Sequence, residues 1–444
     1  MNSQNNNIKQ LPKDWKWVKL GEACNIIMGQ SPPSTSYNTD RIGLPFFQGK
    51  AEFTELYPLV EKWCNAPNKI AEPNDILLSV RAPVGTTNIA NQKCCIGRGL
   101  AAIRYDNYKY AFYFLRSKQQ ELDSKGTGTT FRAISGETIR ETLFPLPPKP
   151  TQQAIVSKIE ELFSELDKGI ENLHTAQQQL KTYRQSVLKW AFEGKLTNSL
   201  NYDFFDLHDE NDLNIAAEPE VEYNNKKNQG NHNNQINHSS DKGELPKGWK
   251  KVELKEVCEI KRGKSKHRPR NEPSLYGGKY PFIQTGDIRN SSGRYINEYS
   301  QTYSELGLQQ SKLWPKGTLC ITIAANIGET AILGFDACFP DSVVGLLCNE
   351  KLLLNKYCNY FFISFKQKLE ELAPATAQKN INVDILEKVE IPLAPIEEQL
   401  NIVQAIESRL SVADKLEESI TQSLQQAEAL RQSILKKAFE GRLI

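Results

Sequence analysis

Apolar residues recur at every seventh position along two stretches of this chain, and short β-branched runs punctuated by glycine and proline occupy much of the rest. Ile159, Leu166, Leu173, Leu180 and Val187 form the first stripe, with Leu162, Ala176, Tyr183 and Trp190 three positions further on. Ile406, Ala413, Ile420, Ala427 and Ile434, joined by Leu416 and Leu430, form a weaker second. A seven-residue apolar period predicts a helix that lays its stripe on another helix. Each stretch runs about 38 residues, a rod of roughly 57 Å. One rod cannot hide its stripe alone, so the two are expected to pair. The expected helix-pair core is Ile159, Leu166, Leu173, Leu180, Val187, Ile406, Leu416, Ile420, Leu430 and Ile434.

The two stretches are copies. Phe192-Glu193-Gly194-Lys195-Leu196 returns as Phe439-Glu440-Gly441-Arg442-Leu443, and Arg184-Gln185-Ser186 as Arg431-Gln432-Ser433. The match runs without a gap from Pro145–Thr197 to Pro392–Ile444, which marks an internal duplication. Gly194 and Gly441, directly after the last apolar turn, are natural helix stops. Pro145-Leu146-Pro147-Pro148 and Pro392-Leu393-Ala394-Pro395 precede the helices as rigid extended segments.

Ahead of each helix the duplication continues with gaps. Leu11-Pro12-Lys13-Asp14-Trp15 and Leu245-Pro246-Lys247-Gly248-Trp249 open two heads, followed by Cys24-Asn25-Ile26 and Cys258-Glu259-Ile260. Asp75-Ile76-Leu77-Leu78-Ser79-Val80 parallels Thr318-Leu319-Cys320-Ile321-Thr322-Ile323, and Pro45-Phe46-Phe47-Gln48 parallels Pro281-Phe282-Ile283-Gln284. These runs read as short strands, so each head is expected to be an α+β domain with long loops. The expected organisation is a first head over 1–147, a helix over 148–197, an Asn-rich linker over 198–244, a second head over 245–391 and a second helix over 392–444. The linker, with runs such as Asn231-His232-Asn233-Asn234, has few apolar side chains to bury.

Composition narrows the chemistry. With 55 basic and 53 acidic residues the net charge is +2, so a nucleic-acid surface must be a local basic patch. No run of about 18 apolar residues occurs, and the expected setting is cytoplasmic. The nine cysteines include no C-x-x-C pair and suit neither a disulfide framework nor a zinc site; Cys24/Cys258 and Cys95/Cys338 read as duplicated core positions. Nucleotide hydrolysis lacks its phosphate loop, because Cys258 stands where Gly263-Lys264-Ser265 needs a leading glycine. Pro340-Asp341 with Glu350-Lys351 departs from nuclease spacing, since Leu352 occupies the lysine position. No catalytic and no metal-binding residue is assigned.

Binding is better represented. Lys261, Arg262, Lys264, Lys266, Arg268 and Arg270 fall within ten residues with no acid among them. Such a run repels itself unless a polyanion lies nearby. The equivalent stretch of the first head, around Gln30 and Ser31, is uncharged and offers amide and hydroxyl groups. A second group precedes each proline segment: Thr127, Thr129, Thr130 and Arg132 in the first head, Thr376, Gln378, Lys379 and Asn380 in the second. Their side chains suit phosphates and base edges, and the same composition suits a loop that caps a strand; the residues alone leave both open. Gln48, Gln284, Arg81 and Arg98 complete the candidates.

The paired L-P-x-x-W openings, the P-L-x-P junctions with Gln152 and Gln399, and the repeated R-Q-S-x-L-K-x-A-F-E-G-[KR]-L endings together resemble the specificity subunits of type I restriction-modification systems. The resemblance covers nearly the whole chain, with Thr151 in place of the acidic residue that survives as Glu398. It implies an α+β fold with two pseudo-twofold-related target-recognition domains separated by two long antiparallel coiled-coil helices. It further implies a non-catalytic subunit that reads a bipartite, asymmetric target in double-stranded DNA, the helices setting the gap. Two modification (methyltransferase) subunits and a restriction/translocase subunit would be its partners, and S-adenosylmethionine, ATP and magnesium would belong to them, with no cofactor on this chain. Two other readings fit the sequence: a recognition subunit of a type IIB-like enzyme, and a coiled-coil adaptor whose heads bind proteins.

Overall fold

The computed structural model describes residues 11–128, 132–197, 245–266, 269, 271–324, 326–373 and 380–444. The chain divides into two compact units, Met1–His174 with Ile420–Ile444, and Thr175–Ser419. Two helices of 44 residues each, Lys149–Phe192 and Ile396–Phe439, contribute to both. Each unit thus holds one head, the start of the helix that follows it, and the end of the other helix. The first helix includes Pro150 in its first turn, at a position where the missing N–H has no helical partner to lose.

In the first unit a four-stranded sheet runs in the order Asn25–Met28, Leu100–Arg104, Ile76–Ser79, Thr87–Ile89, each neighbour antiparallel. Its strands alternate between two cores: Ile76, Leu78, Ala101 and Ile103 face the helix Tyr108–Ser117, whereas Leu77, Leu100 and Ala102 face a second, mixed sheet. In that second sheet Leu44–Phe47 pairs parallel with Cys94–Ile96. The first and last strands of the head, Lys16–Lys19 and Leu143–Leu146, pair antiparallel. The point at which the long helix departs is therefore tied to the start of the domain.

The second unit repeats this plan. Its sheet runs Cys258–Arg262, Val343–Cys348, Leu319–Thr322, Thr330–Leu333, Tyr295–Ile296, packed against the helix Asn355–Leu372, and Lys250–Glu253 pairs with Glu390–Leu393. Details recur at matching positions. Tyr110 Oη donates to the Pro145 carbonyl (2.8 Å) and Tyr357 Oη to that of Pro392 (2.7 Å). Lys109–Glu160 and Lys356–Glu407 each tie a head helix to the long helix at 2.7 Å.

Within each unit the two long-helix segments run antiparallel. Ile155, Val156, Ile159 and Phe163 share one core with Ile434, Leu435, Ala438 and Phe439, while Asp167, further along, pairs with Arg431. In the second unit Val187, Leu188 and Ala191 share a core with Ile402, Val403 and Ile406, and Arg184 bridges Asp414 (2.6 Å) and Glu417 (2.8 Å). The terminal aromatic of each helix enters a head: Phe439 lies edge-on to Tyr110 and Phe114, and Phe192 to Tyr357 and Phe361. Gly441 (φ 70°) and Gly194 (φ 69°) end the helices in the left-handed region; a Cβ there would meet Pro12 or Pro246 within 2.3 Å.

Of the expected helix-pair core, Ile159, Leu180, Val187, Ile406 and Ile434 are buried and Leu166, Leu173 and Ile420 are half-buried. Leu416 and Leu430 are a correction: they are 51% and 49% exposed. The stripe holds at every seventh residue, and toward the helix ends its fully buried companions lie four positions after it, while Leu162 and Tyr183, three after it, are half-buried. Phe163 and Ala191, four after Ile159 and Val187, are buried, as is Ala438 four after Ile434.

Each helix entry is held by a buried glutamine. Gln399 Nε2 donates to the carbonyls of Leu352 and Ala394 (2.8 Å each), and its Oε1 accepts from Leu354 N–H (3.0 Å). Gln152 Nε2 donates to Pro147 (3.0 Å) and its Oε1 accepts from Tyr105 Oη (3.2 Å). Gln399→Ala strands an N–H and two carbonyls in the interior and is expected to cost about 2–3 kcal/mol in urea unfolding, with Gln152→Ala costing less because fewer groups lose partners.

Candidate nucleic-acid interface

The candidate residues of the first head lie on loops linked by main-chain hydrogen bonds. After Asn25–Met28 the chain bends beside the turn Gly97-Arg98-Gly99: Gly29 N–H donates to the Leu100 carbonyl (2.9 Å) and Gln30 N–H to that of Ile96 (3.1 Å). A Cβ on Gly29 would lie 2.2 Å from the Gly97 carbonyl oxygen, so the approach requires glycine. Arg98 N–H donates to Ser31 Oγ (3.2 Å) and Gly97 N–H to the Phe47 carbonyl (2.8 Å), which brings Gln48 to the same turn. On the other side Val80 N–H donates to the Gly99 carbonyl (2.9 Å), Ala82 N–H to that of Arg132 (2.9 Å), and Thr127 and Ala133 exchange two bonds of 3.0 Å.

This ladder sets Gln30, Ser31, Gln48, Arg81, Arg98, Thr127 and Arg132 on one rim. Ser31 is half-buried and the others are exposed. Arg132 faces Asp123 at 3.5 Å, so its charge is partly answered. Arg81 and Arg98 form no ion pair among the described residues. Tyr37 fixes the rim from beneath: its ring stacks on Phe46 at 4.5 Å and its Oη donates to the Pro32 carbonyl (2.7 Å). Burial, then the nearby Cys64 thiol, push this phenol above its ordinary range, so it stays a neutral donor.

The second head builds its rim in the same way from different side chains. Gly263 N–H donates to the Val343 carbonyl (2.9 Å), and a Cβ there would sit 2.3 Å from the Pro340 carbonyl oxygen. Gly263 is thus the counterpart of Gly29, and Pro340-Asp341-Ser342 that of Gly97-Arg98-Gly99. Ile323 N–H donates to the Ser342 carbonyl and Ile381 N–H to that of Ile323 (3.0 Å each), which carries Asn380 to the rim, exposed and bridged to Ala324. Ser311 Oγ donates to the Lys264 carbonyl (2.8 Å) and pins the cationic loop.

The cations of this loop are not equivalent, which corrects the picture of a free run. Lys261 pairs with Glu259 on the exposed face of its strand, and the Arg262 guanidinium donates to the Asp341 carbonyl. Lys264 and Lys266 are exposed and form no ion pair among the described residues. Gln284 is also occupied: its N–H donates to Asp287 and its Nε2 to Gln301 Oε1 (2.5 Å), at the start of the short helix Thr285–Asn290. Thr129, Thr130, Arg268, Arg270, Thr376, Gln378 and Lys379 lie outside the described residues.

Sequence reasoning missed Lys50, exposed two residues after Gln48, because an isolated lysine carries no pattern. It also missed Asp123, which accepts from Val84 N–H (3.2 Å) besides facing Arg132. Asp341 and Glu350 flank opposite ends of the strand Val343–Cys348 and do not form one site. Asp75, 1% exposed, is held by Arg104 through two 2.7 Å bonds and closes the sheet rather than facing the rim. Burial pushes the thiols of Cys24, Cys94 and Cys95 up to about 12, which keeps them neutral and unreactive. No described helix is long and apolar enough to cross a membrane.

Comparison with known proteins agrees with this duplicated plan. The family model described as "Type I restriction modification DNA specificity domain" matches residues 12–175 and again 246–426. A Methanocaldococcus jannaschii protein, provisionally named the type I restriction enzyme MjaX specificity subunit, is 40% identical over 195 residues, 43% of this chain and 45% of that protein. The type I restriction enzyme EcoBI specificity subunit of Escherichia coli is 23% identical over 99% of this chain and 88% of its own. Among solved structures, a chain from work on complex assembly and conformational transition of the type I R-M system superposes with a TM-score of 0.71 at 22% identity, covering 98% of this chain and 99% of that one. The HsdS subunit from Thermoanaerobacter tengcongensis superposes with a TM-score of 0.58 at 21% identity, with the same coverage.

Replacing Lys264 and Lys266 together by alanine is expected to leave stability within about 0.5 kcal/mol, since both are exposed. The slope of log affinity for duplex DNA against log salt should fall by about two, measured by anisotropy titrations at several salt concentrations.

Proposed function

This chain belongs to the type I restriction-modification specificity-subunit family, and from that premise we propose that it is the DNA-reading subunit of a type I complex, itself without catalytic activity. Each head reads one half of a bipartite, asymmetric target, and the paired helices set the unspecified gap between the halves. The observation that carries this reading is a rim built twice on one frame with different side chains. Gly29 and Gly263 make the same close approach, yet Gln30 and Ser31 follow the first and Lys264 and Lys266 follow near the second. Arg98 stands in the turn where the other head has Asp341.

A shared frame with unlike surfaces suits two different base sequences better than one repeated site. Each mismatched base pair costs about 1–3 kcal/mol, so two short half-sites give useful selectivity when read together. Linking the readers makes the second contact intramolecular and raises avidity without further contacts. The Arg184–Asp414 and Arg431–Asp167 pairs support a fixed helix register, which a gap-setting device needs. Two modification subunits and a restriction/translocase subunit complete the assembly. S-adenosylmethionine, ATP and magnesium serve those partners, where base flipping and methylation take place.

Mapping methylated adenines in cells with and without this chain tests the proposal: a two-part motif with a fixed gap should appear only when the chain is present. Inserting four residues into the middle of both long helices adds about 6 Å to each, and the gap should lengthen by about one to two base pairs at 3.4 Å each. An unchanged gap would rule out the measuring role, and loss of the whole motif in the unmodified strain's deletion mutant is the control that links the motif to this chain.

A further inference from the structure

Three cysteines far apart in sequence meet in the second head. Cys258 opens the strand Cys258–Arg262, Cys348 ends the strand Val343–Cys348, and Cys358 lies in the helix Asn355–Leu372. The two strands place Cys258 directly opposite Cys348, and the helix brings Cys358 over the pair. All three sulfurs lie within 4.8 Å of one another, and Cys258 Sγ donates to Cys348 Sγ at 3.1 Å. Cys258 and Cys358 are buried, whereas Cys348 is half-buried. Among the described residues no other group of three potential ligands comes together.

Duplication does not account for this. The first head keeps Cys24 at the place of Cys258, but Tyr105 follows its strand where Cys348 ends the other. Ala111, next to Tyr110, occupies the place of Cys358, next to Tyr357. Two of the three cysteines therefore occur in one head only, and both lie beside the position the heads share. Core packing calls for apolar volume there and does not call for three thiols. Tetrahedral zinc–thiolate bonds of 2.3 Å set sulfurs about 3.8 Å apart, which lies within the 4.8 Å limit that holds for all three sulfurs here.

We propose that Cys258, Cys348 and Cys358 form a binding site for one thiophilic cation of the zinc class, with the exposed side of Cys348 leaving a fourth position for water. Soft thiolates select such ions over magnesium or calcium. The ion would clamp two strands and a helix in the head whose strand Cys258–Arg262 carries Lys261 and Arg262 and leads into the cationic loop. Its binding would release thiol protons.

The test uses the full chain, reduced and stripped of metal by a chelator, titrated with Cd²⁺ while the ultraviolet thiolate-to-metal charge-transfer band is recorded, then with Zn²⁺ as competitor. One equivalent should bind, Zn²⁺ should displace it, and the unfolding midpoint should rise with Zn²⁺. Cys348→Ser, at the half-buried position where folding is least at risk, should weaken Cd²⁺ binding at least about tenfold; circular dichroism confirms that the variant is folded, and Cys258→Ser provides the second ligand test. Cys95→Ser, which removes a thiol of the first head, should leave binding unchanged. Absence of the band, full affinity in both Cys348→Ser and Cys258→Ser, loss of the band in Cys95→Ser, or a Cys258–Cys348 disulfide in place of metal on peptide mapping would each overturn the proposal.

Discussion

The largest hydrophobic core of each head is completed by a helix end supplied from the other half of the sequence. Phe439, Ala438 and Leu435 fill the head that begins at Leu11, and Phe192, Ala191 and Leu188 fill the head that begins at Leu245. The burial is large and apolar, and it depends on residues hundreds of positions apart. Removal of one helix end exposes aromatics such as Tyr110 and Phe114, or Tyr357 and Phe361, whose burial accounts for much of the head's stability. Such long-range closure is slow to reach in folding, and it couples the two copies energetically even where their sequences have diverged.

Around that exchange the joints are standardised. The tyrosine that bonds to a proline carbonyl, the buried glutamine at the helix entry, the lysine–glutamate tie and the left-handed glycine against a proline all occur twice. The rims do not follow this rule. Gly29 and Gly263 preserve the backbone approach because any Cβ collides with a carbonyl, while the side chains that follow them are unconstrained by the core and differ in charge and hydrogen-bonding capacity.

Much of this was legible in the sequence because it rests on periodicity and repetition. The helices, their stops at Gly194 and Gly441, and the two α+β heads follow from the stripe and the copied endings. The companion row of the stripe was misread at Leu416 and Leu430, because apolar residues three and four positions away are both plausible by count and only the partner's surface decides between them. The cationic loop looked uniformly free in sequence, yet Glu259 and the Asp341 carbonyl engage two of its members. Glu259 is two residues from Lys261, on the same face of a strand, while Asp341 comes from a distant turn. The meeting of Cys258, Cys348 and Cys358 left no signature at all, since strand pairing and helix packing, rather than spacing, bring them together.

The copied joints have an evolutionary consequence. Genetic crossover between related genes inside the Pro145–Thr197 segment, or inside its twin, would deliver a foreign head already fitted with the glutamine, tyrosine and lysine contacts that its new helix expects. Neither core would need refitting, so whole rims can be exchanged as cassettes while the frame stays intact.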